Sequence, residues 1–309
     1  MKFLVTGGAG FIGGALAKRL LLQGDEVYII DNLKTGYLSN VTKGAIFING
    51  DFSNDEIICK LNDLRFDGIY HIGGQSSGEI SFEDPEYDIQ TNTVSTLKLL
   101  QYAVKNKIPK FIYASTMSVY GEQDGKERFS ETDKTNPKSF YAVGKLASEK
   151  YMDIFSKHFG IKCVSLRYFN VYGPGQNLQN LKQGMVSIYL KQFLDDSFKR
   201  VIVKGDLARF RDLVYIDDVV SVTIDAMQKD IYDNQILNVG TGKKTTVGEI
   251  LELIRKVTKS TKQIEVQSGT PGDQFGIYAD NSKLMSLYKK PIVEFEIGLK
   301  NMIEWIKNE

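Results

Sequence analysis

The segment from Lys2 to Asp31 constrains the fold more than any other, because it places a glycine turn between an apolar strand and an amphipathic helix. KFLVT predicts the strand, and GGAGFIG follows it at once. Apolar residues between Phe11 and Leu21 recur at helical spacing, and Gly24 is suited to end the helix. EVYII then predicts a second strand, which leads directly into Asp31. This order predicts a βαβ unit with two parallel strands.

The glycines of this turn are spaced GxxGxxG, which departs from the GxGxxG of many dehydrogenases, but each can serve a bound dinucleotide. Gly7 permits the tight turn, Gly10 lets a pyrophosphate approach the backbone, and Gly13 allows the helix to pack closely. The helix that follows presents unpaired N–H groups and the positive end of its dipole to the phosphates. A carboxylate at Asp31 accepts hydrogen bonds from the adenosine ribose and repels a 2′-phosphate, which favours NAD over NADP. Glycines that serve packing alone are the alternative, which the ordered arrangement of strand, turn, helix and acid disfavours.

Strand and helix patterns alternate as far as residue 170. AIFING, GIYHIGG, KFIYAST and KCVSLRYFN predict strands, a long helix is predicted to begin at Pro85, and a second is predicted to begin at Tyr141. This alternation predicts an α/β fold with a Rossmann-type, doubly wound parallel sheet. The alternation of strands and helices stops after VYGPGQ. The rest of the chain therefore predicts a smaller C-terminal substrate-binding lobe that covers the mouth of the sheet domain. We therefore predict a dinucleotide-binding domain from residues 1–172 and about 213–240, and a second lobe from about 173–212 and 241–309.

In an open parallel sheet, ligands collect beyond the carboxyl ends of the strands. The residues expected at these ends are mostly acids, glycines, and hydroxyl or amide side chains, with two apolar residues among them: Asp31, Asn32, Asp51, Phe52, Ile72, Gly73, Gly74, Thr116 and Asn170. Asp51 is placed to meet adenine, and the glycines at 73 and 74 leave room for a dinucleotide to pass. His71, at the end of its strand, is expected to be structural.

Tyr141 and Lys145 lie four positions apart in SFYAVGK, so a helix places both side chains on one face. This spacing alone is typical of an accidental surface pair. Beside a nicotinamide, however, hydride leaves a carbinol carbon only if a general base takes the hydroxyl proton. We expect Lys145 and the positive charge of oxidised nicotinamide to lower the pKa of Tyr141 toward working pH. Tyr141 is therefore the predicted base and Thr116 is predicted to share the proton, with Ser115 and Ser118 as alternative hydroxyl groups.

The candidate cofactor-binding and catalytic residues lie within longer sequence motifs. TGGAGFIG occupies residues 6–13, ASTMSVYG contains Thr116, and YAVGK contains Tyr141 and Lys145. DNLKTG, RYFNVYGPGQ, FRDLVYIDDVV and PGD extend the match along nearly the whole chain. The chain resembles the extended short-chain dehydrogenase/reductase family, and within it the NAD-dependent nucleotide-sugar epimerases and dehydratases, most of all the UDP-glucose 4-epimerases. The resemblance implies that Thr116, Tyr141 and Lys145 are catalytic, that NAD is the cofactor, and that a nucleotide-diphosphate sugar is the substrate.

The resemblance also implies which residues bind the two ligands. The expected cofactor-binding residues are Gly7, Gly10, Phe11, Ile12, Gly13, Asp31, Asn32, Asp51, Phe52, Ile72, Gly73, Gly74, Asn92, Tyr141, Lys145 and Tyr168. The expected substrate-binding residues are Ser76, Thr116, Asn170, Arg211 and Asp273. Arg211 is expected to bind the pyrophosphate, which a guanidinium suits, and Asp273 to contact the nucleoside ribose or to orient Arg211. Relatives usually have an arginine where this chain has Thr270, so either Arg209, Lys182 or another cation compensates, or the diphosphate is held more loosely.

The resemblance implies hydride removal at C4 of the sugar, after which members of the family diverge. Dehydratases have Asp-Glu directly after the threonine for elimination, whereas this chain has Met117 and Ser118. We therefore predict an isomerase that performs 4-epimerisation through a transient 4-keto intermediate, on UDP-glucose and UDP-galactose or on an N-acetyl or uronate analogue. A CDP-sugar 2-epimerase and an NAD(P)-dependent 4-keto-sugar reductase remain open, whereas the intact catalytic residues disfavour a non-enzymatic NAD-binding scaffold. Ile277 does not decide whether an N-acetyl group is accepted.

Composition excludes several other classes. The net charge of +1 gives no reason to expect nucleic acid or a membrane surface as partner. Two histidines cannot by themselves build a histidine-based metal site, and no apolar run reaches membrane-spanning length. Cys59 and Cys163 are expected to be reduced and buried, and the chain to be cytoplasmic. The resemblance implies a homodimer, in which the helices near 85–105 and 141–159 form a four-helix bundle across a two-fold axis.

Overall fold

The computed structural model describes residues 1–62, 64–181, 183–269 and 275–308. The described residues form fifteen strands: β1 (Lys2–Thr6), β2 (Glu26–Asp31), β3 (Ile46–Asn49), β4 (Gly68–His71), β5 (Lys110–Thr116), β6 (Arg128–Phe129), β7 (Lys162–Tyr168), β8 (Asn170–Tyr172), β9 (Arg200–Lys204), β10 (Phe210–Arg211), β11 (Leu213–Tyr215), β12 (Ile236–Val239), β13 (Thr245–Thr246), β14 (Gln263–Gln267) and β15 (Tyr278–Ala279). They also form eleven α-helices: α1 (Phe11–Leu22), α2 (Asp55–Cys59), α3 (Ile80–Glu83), α4 (Pro85–Ile89), α5 (Ser95–Lys105), α6 (Phe140–Phe159), α7 (Met185–Leu194), α8 (Ile216–Gln228), α9 (Val247–Thr258), α10 (Ser282–Tyr288) and α11 (Phe295–Asn308).

Seven strands form one parallel sheet in the order β12-β7-β5-β4-β1-β2-β3. The strand order reverses between β1 and β4, which pair in parallel register from Phe3 opposite Gly68 to Thr6 opposite His71. The chain leaves β1 toward one edge and returns to β4 toward the other, so a crevice opens at the carboxyl ends of these two strands. The Rossmann-type, doubly wound sheet predicted from the sequence is confirmed.

Helices cover both faces of this sheet, which is why its strands are apolar throughout rather than alternating with polar residues. Phe3 and Val5 belong to one core cluster together with Leu16 of α1. Leu4, which points to the opposite face, belongs to a second cluster with Leu99 of α5. Burying a side chain of this size stabilises the fold by about 1.5–3 kcal/mol. The two cores therefore fix the strands in register and hold their carboxyl ends in place.

The long helix predicted from Pro85 is interrupted by a wide π turn over Gln90–Val94, between α4 and α5. Hydroxyl groups of this segment donate to backbone carbonyls one turn earlier: Ser95 Oγ to Thr91 O at 2.6 Å and Thr96 Oγ1 to Asn92 O at 2.9 Å. Such bonds compete with the regular backbone ladder, and π turns are frequent at functional sites. The sequence pattern predicts a helix here but not this local widening.

Two further features differ from the sequence predictions, and some predicted residues cannot be compared. The two-residue strands β6 and β15 pair with each other, and neither they nor α10 were predicted, because segments this short have no recognisable period. Cys59 ends α2 at the surface and is exposed, so the prediction that it is buried is wrong, whereas Cys163 in β7 is buried. Asp273, Thr270 and Lys182 lie outside the described residues. In the part of the chain that the structure describes, no helix is long and apolar enough to cross a membrane.

Candidate active site

A cavity of about 470 Å³ lies at the carboxyl ends of β1, β2, β4 and β5. Most of the residues predicted to bind the cofactor or the substrate contribute to its wall: Gly7, Gly10, Phe11, Ile12, Gly13, Asp31, Asn32, Phe52, Ile72, Gly73, Gly74, Ser76, Thr116, Tyr141, Lys145, Tyr168 and Asn170. Asp51, Asn92 and Arg211 do not line it. The fold thus gathers into one cavity residues that are as far apart in the chain as Gly7 and Asn170.

The glycine turn has no room for side chains. Gly7 adopts a φ of +70°, and a Cβ added to it would lie 2.5 Å from the Gly73 Cα. A Cβ added to Gly13 would lie 2.1 Å from the Gly7 carbonyl oxygen. Gly10 caps α1 without a side-chain hydrogen bond, so the first N–H groups of this helix face the cavity without an intrahelical acceptor. This end of the cavity is suited to an anion, and a phosphate is the anion that such turns hold.

Asp31 lies at the end of β2, buried against the same turn. Its carboxylate accepts hydrogen bonds from the backbone N–H of Ala9 at 3.0 Å and of Leu33 at 2.9 Å. Each carboxylate oxygen has lone pairs beyond these bonds, so Asp31 can also accept from a ribose hydroxyl. Asp51 lies behind it and accepts from Asn32 Nδ2 at 3.1 Å, which makes Asp51 a support for the wall rather than part of it.

The π turn over Gln90–Val94 packs against the segment that follows β4 and positions it. A Cβ added to Gly74 would lie 2.4 Å from Asn92 Oδ1, which leaves no space for a side chain at this position. Asn92 itself donates to the Gln75 carbonyl at 2.9 Å and is buried, so it positions the loop without lining the cavity. His71 is fully buried between Thr6 and Thr96, with ring nitrogens 2.7 Å and 3.0 Å from their hydroxyl oxygens, as expected of a structural residue.

The three predicted catalytic residues come from two elements. Thr116 ends β5, while Tyr141 and Lys145 face the cavity from the first turns of α6, whose N-terminus is capped by Ser139. Lys145 Nζ donates to the Ala114 carbonyl at 2.9 Å. It also lies 4.8 Å from the centre of the Tyr113 ring and 5.8 Å from the centre of the Tyr141 ring. The structure therefore places the phenol, the ammonium and the hydroxyl on one wall.

Burial dominates the charge states of this group. It raises the pKa of Tyr141 to about 12, although a hydrogen bond with Thr116 acts in the opposite direction. It lowers the pKa of Lys145 to about 8, with the charge of Asp88 opposing the shift. The chain's own residues therefore do not make Tyr141 acidic, in contrast to the lowering predicted from the sequence. The sequence analysis named a second cause that would lower the pKa of Tyr141, which is the positive charge of oxidised nicotinamide.

Where β8 and the segment after it form the wall, the cavity presents amide groups. Asn170 Oδ1 and Gln176 Oε1 are buried and have no hydrogen-bond partner among the described residues. Tyr168 also lines the wall, with its hydroxyl 2.7 Å from Thr223 Oγ1. Unsatisfied buried acceptors are costly, which indicates that a ligand with hydroxyl or N–H donors completes this site.

Arg211 lies outside this wall. One of its guanidinium nitrogens donates to the Phe210 carbonyl at 2.7 Å and to the Phe275 carbonyl at 3.2 Å. Burial and the neighbouring charge of Arg209 lower its pKa to about 10. Arg211 therefore does not share the cavity wall with Ser76, Thr116 and Asn170, the predicted substrate residues that lie in the described part of the chain.

A loop that the sequence analysis did not single out closes over the cavity. Asn177 Nδ2 donates to Tyr37 Oη at 3.0 Å, and Gln183 Nε2 donates to the Ser76 carbonyl at 3.0 Å. All four residues line the cavity. The amide-rich run GQNLQNLKQG is the only signal in the sequence, and it does not identify which residues these amides contact.

These features fit a dinucleotide. The glycine turn and the N-terminus of α1 would hold its pyrophosphate, Asp31 would accept from its adenosine ribose, and Lys145 would reach its second ribose. A model of the NAD dependent epimerase/dehydratase family matches residues 3–240. The chain belongs to the NAD-dependent epimerase/dehydratase family. The family resemblance inferred from the glycine turn and the catalytic motifs is confirmed.

Two solved structures share this fold over nearly their full length. The UDP-glucose 4-epimerase of the hyperthermophilic eubacterium Thermotoga maritima, solved with UDP-glucose, superposes with a TM-score of 0.95 at 34% identity, over 100% of this chain and 99% of that one. The UDP-glucose 4-epimerase of Thermus thermophilus, solved with NAD, gives a TM-score of 0.91 at 34% identity, over 99% of each chain. A protein described as a putative UDP-glucose 4-epimerase from Methanocaldococcus jannaschii is 33% identical over 99% of this chain and 98% of its own length. The predicted cofactor, NAD, and the predicted class of nucleotide-sugar 4-epimerases are confirmed by these similarities.

Proposed function

We propose that this chain interconverts the C4 epimers of a UDP-sugar and keeps NAD bound between turnovers. The observation that supports this most strongly is the meeting of Thr116, Tyr141 and Lys145 on one wall of the cavity that the glycine turn opens into. Met117 and Ser118 follow Thr116 and line the same cavity, and neither has a carboxylate that could serve elimination. A reaction that needs only hydride removal and return is therefore favoured over a dehydration.

Each catalytic residue has a separate task in this proposal. Bound NAD supplies the hydride acceptor and donor that epimerisation at C4 requires. Tyr141 takes the proton of the C4 hydroxyl through its phenol oxygen and later returns it. Thr116 hydrogen-bonds to Tyr141 and orients the reacting oxygen. Lys145, while protonated, stabilises the phenolate form of Tyr141 through its positive charge.

Substrate binding is assigned to the amide-rich side of the cavity. Asn170, with its unsatisfied Oδ1, and Ser76 would contact the sugar or the diphosphate. Arg211 would bind the diphosphate after its guanidinium leaves the carbonyl oxygens of Phe210 and Phe275. Asp273, outside the described residues, is proposed to contact the nucleoside ribose or to orient Arg211.

A single assay tests the reaction. We expect the purified protein to convert UDP-glucose to UDP-galactose without added cofactor, with the products resolved by NMR. The Tyr141→Phe variant should lose turnover by about 100-fold or more, because it lacks the general base, while retaining bound NAD. Tyr151→Phe is the matched control, since this tyrosine lies on the same helix but packs against the second core cluster.

Three results would overturn the proposal. Tyr141→Phe could be as active as the parent chain, which would exclude Tyr141 as the base. The reaction could depend on added NADPH with net consumption, which would indicate a 4-keto-sugar reductase. The third such result comes from a panel of UDP-, CDP-, GDP- and dTDP-sugars. If a CDP-sugar alone reacted, with inversion at C2, the protein would be a 2-epimerase.

We also propose that the protein is a homodimer that works in the cytoplasm. Large apolar side chains are exposed around α3, α4 and α6: Phe82, Ile89, Phe140, Val143 and Ile154. A symmetric pairing of these helices would remove them from water. Val143→Glu together with Ile154→Glu should give a monomer by analytical ultracentrifugation, whereas Leu22→Glu, at an exposed position on α1, should leave the assembly unchanged. A monomeric parent chain would contradict the dimer.

A further inference from the structure

Asp88 is a buried carboxylate close to the helix that bears the catalytic residues, and it has no part in the reaction described above. It is fully buried on α4 and does not line the cavity. Its Oδ2 accepts from Gln75 Nε2 at 2.8 Å and from Asn92 Nδ2 at 3.2 Å. Its Oδ1 has no hydrogen-bond partner among the described residues. A buried carboxylate that is only half satisfied is unfavourable unless a positive charge lies nearby.

The unpaired oxygen of Asp88 lies against α6. A Cβ added to Gly144 would lie 3.3 Å from Asp88 Oδ1, and Gly144 directly precedes Lys145. The absence of a side chain at position 144 therefore lets α4 approach α6 at the level of the catalytic lysine. Lys145 is itself only 4% exposed, so its ammonium also needs a compensating charge.

Titratable groups from three other positions face the same ammonium. Tyr113 of β5 has its ring 4.8 Å from Lys145 Nζ, and Tyr141 of α6 has its ring at 5.8 Å. His71 of β4 has its pKa lowered mainly by burial and further by the charge of Lys145. Tyr113, Tyr141 and His71 are neutral in their ordinary states, so none of them supplies a negative charge. Asp88 is the carboxylate whose charge opposes the lowering of the Lys145 pKa.

The same carboxylate is connected to the cavity wall on its other side. Gln75 donates to Asp88 through its side chain, while its backbone N–H donates to Thr91 Oγ1 at 3.2 Å and its carbonyl accepts from Asn92 at 2.9 Å. Gln75 follows Gly74 and precedes Ser76, both of which line the cavity. Asp88, Thr91 and Asn92, at positions i, i+3 and i+4, all face this one loop residue.

We infer that Asp88 is a positioning residue that acts as the counter-ion of Lys145 and, through Gln75, anchors the loop after β4 in the cavity wall. This inference rests on the proposed function, because it takes the positive charge of Lys145 to be needed in the catalysed reaction. Asp88 itself touches neither the cavity nor the reacting atoms.

The pH profile of turnover distinguishes this role from a structural one. Asp88→Asn keeps the shape and removes the charge. Both limbs of the profile should then move to lower pH by about one unit, because the loss of a nearby negative charge favours the phenolate of Tyr141 and the neutral amine of Lys145. Asp88→Glu should retain the parental profile with lower turnover. Glu86→Gln, which removes an exposed carboxylate from the same helix, should change neither. An Asp88→Asn profile that is scaled down without moving would overturn the inference.

A second measurement does not depend on turnover or on a variant of Asp88. The side-chain Cε–Hε NMR signal of Lys145, assigned with Lys145→Arg, can be followed on acid titration of the parental chain without NAD. We expect this signal to move as Asp88 becomes protonated, above the pH at which an ordinary aspartate titrates, because burial raises the pKa of Asp88. A Lys145 signal that does not respond would overturn the inference. A chain that shows this coupling but converts no nucleotide sugar would refute the proposed function instead.

Discussion

Lys145 holds its ammonium nitrogen 5.8 Å from the centre of the Tyr141 ring, one helical turn away, while donating a hydrogen bond to the Ala114 carbonyl at 2.9 Å. The bond to β5 fixes the lysine relative to the strand that ends in Thr116. The lysine is thus held by both α6 and β5, and the distance between the Tyr141 ring and the Lys145 ammonium does not depend on the loops around the cavity.

The first prediction concerns alkaline pH. Burial lowers the pKa of Lys145 to about 8, so its positive charge is present below this pH and is lost as the pH rises through it. Because the charged lysine supports the Tyr141 phenolate, kcat/KM should decline with a midpoint near this value. Lys145→Arg should be less active but should lack this decline, since a guanidinium remains charged. A parental profile that stays flat well above this pH would contradict the prediction.

The second prediction concerns the glycine turn. Gly13→Ala should weaken NAD binding by at least about tenfold, because its Cβ would lie 2.1 Å from the Gly7 carbonyl oxygen and displace the turn that faces the pyrophosphate. Gly14→Ala is the matched control on the same helix, since its Cβ would meet its nearest atoms at 3.4 Å. NAD affinity measured by isothermal titration after removal of bound cofactor should separate the two. Equal affinities would refute this account of the turn.

The third prediction concerns a buried ion pair beneath the site. Arg167 and Glu149 form a bidentate pair at 2.9 Å and 2.7 Å, and Ser115 Oγ donates to the same carboxylate at 2.5 Å. Arg167→Met should reduce the free energy of unfolding by about 3–5 kcal/mol, because it leaves Glu149 buried and unpaired. Urea denaturation measures this change.

The control for this pair is at the surface. Asp153→Ala removes the partner of Lys157 in an exposed pair on α6 and should change the free energy of unfolding by no more than about 0.5 kcal/mol. If Arg167→Met were as mild as this control, water or a relaxed side chain would have to satisfy Glu149, and the pair would not stabilise the strand that ends at Thr116.

The fourth prediction concerns release of the cofactor. Asn177 and Gln183 each donate a hydrogen bond across the mouth of the cavity, to Tyr37 and to Ser76. Replacing both donors with alanine should speed NAD dissociation by about 30-fold, since each such bond contributes about 1 kcal/mol and about 1.4 kcal/mol corresponds to a factor of ten. Gln179→Ala, an exposed amide of the same loop, should have no effect. The rate is measured on protein loaded with the fluorescent reduced cofactor and mixed with excess NAD, and an unchanged rate in the double variant would show that the loop does not retain the dinucleotide.

The sequence by itself determined the βαβ frame, the cofactor class and the proximity of Tyr141 to Lys145, because each depends on short spacings along the chain. The turn from Gly7 to Gly13 is local, the distance from Tyr141 to Lys145 is one helical turn, and Asp31 directly follows an apolar strand. Backbone geometry alone converts such spacings into positions in space.

Tertiary structure alone decided which residues from distant segments meet, and with what charge. It placed Asn92 behind the loop after β4 rather than in the cavity wall, and it kept Arg211 away from that wall. It also raised the pKa of Tyr141, where the sequence favoured a lower value, and brought Asp88 against α6. These outcomes depend on burial and on the packing of one helix against another. Desolvation is a property of the whole surrounding core, which no spacing along the chain records.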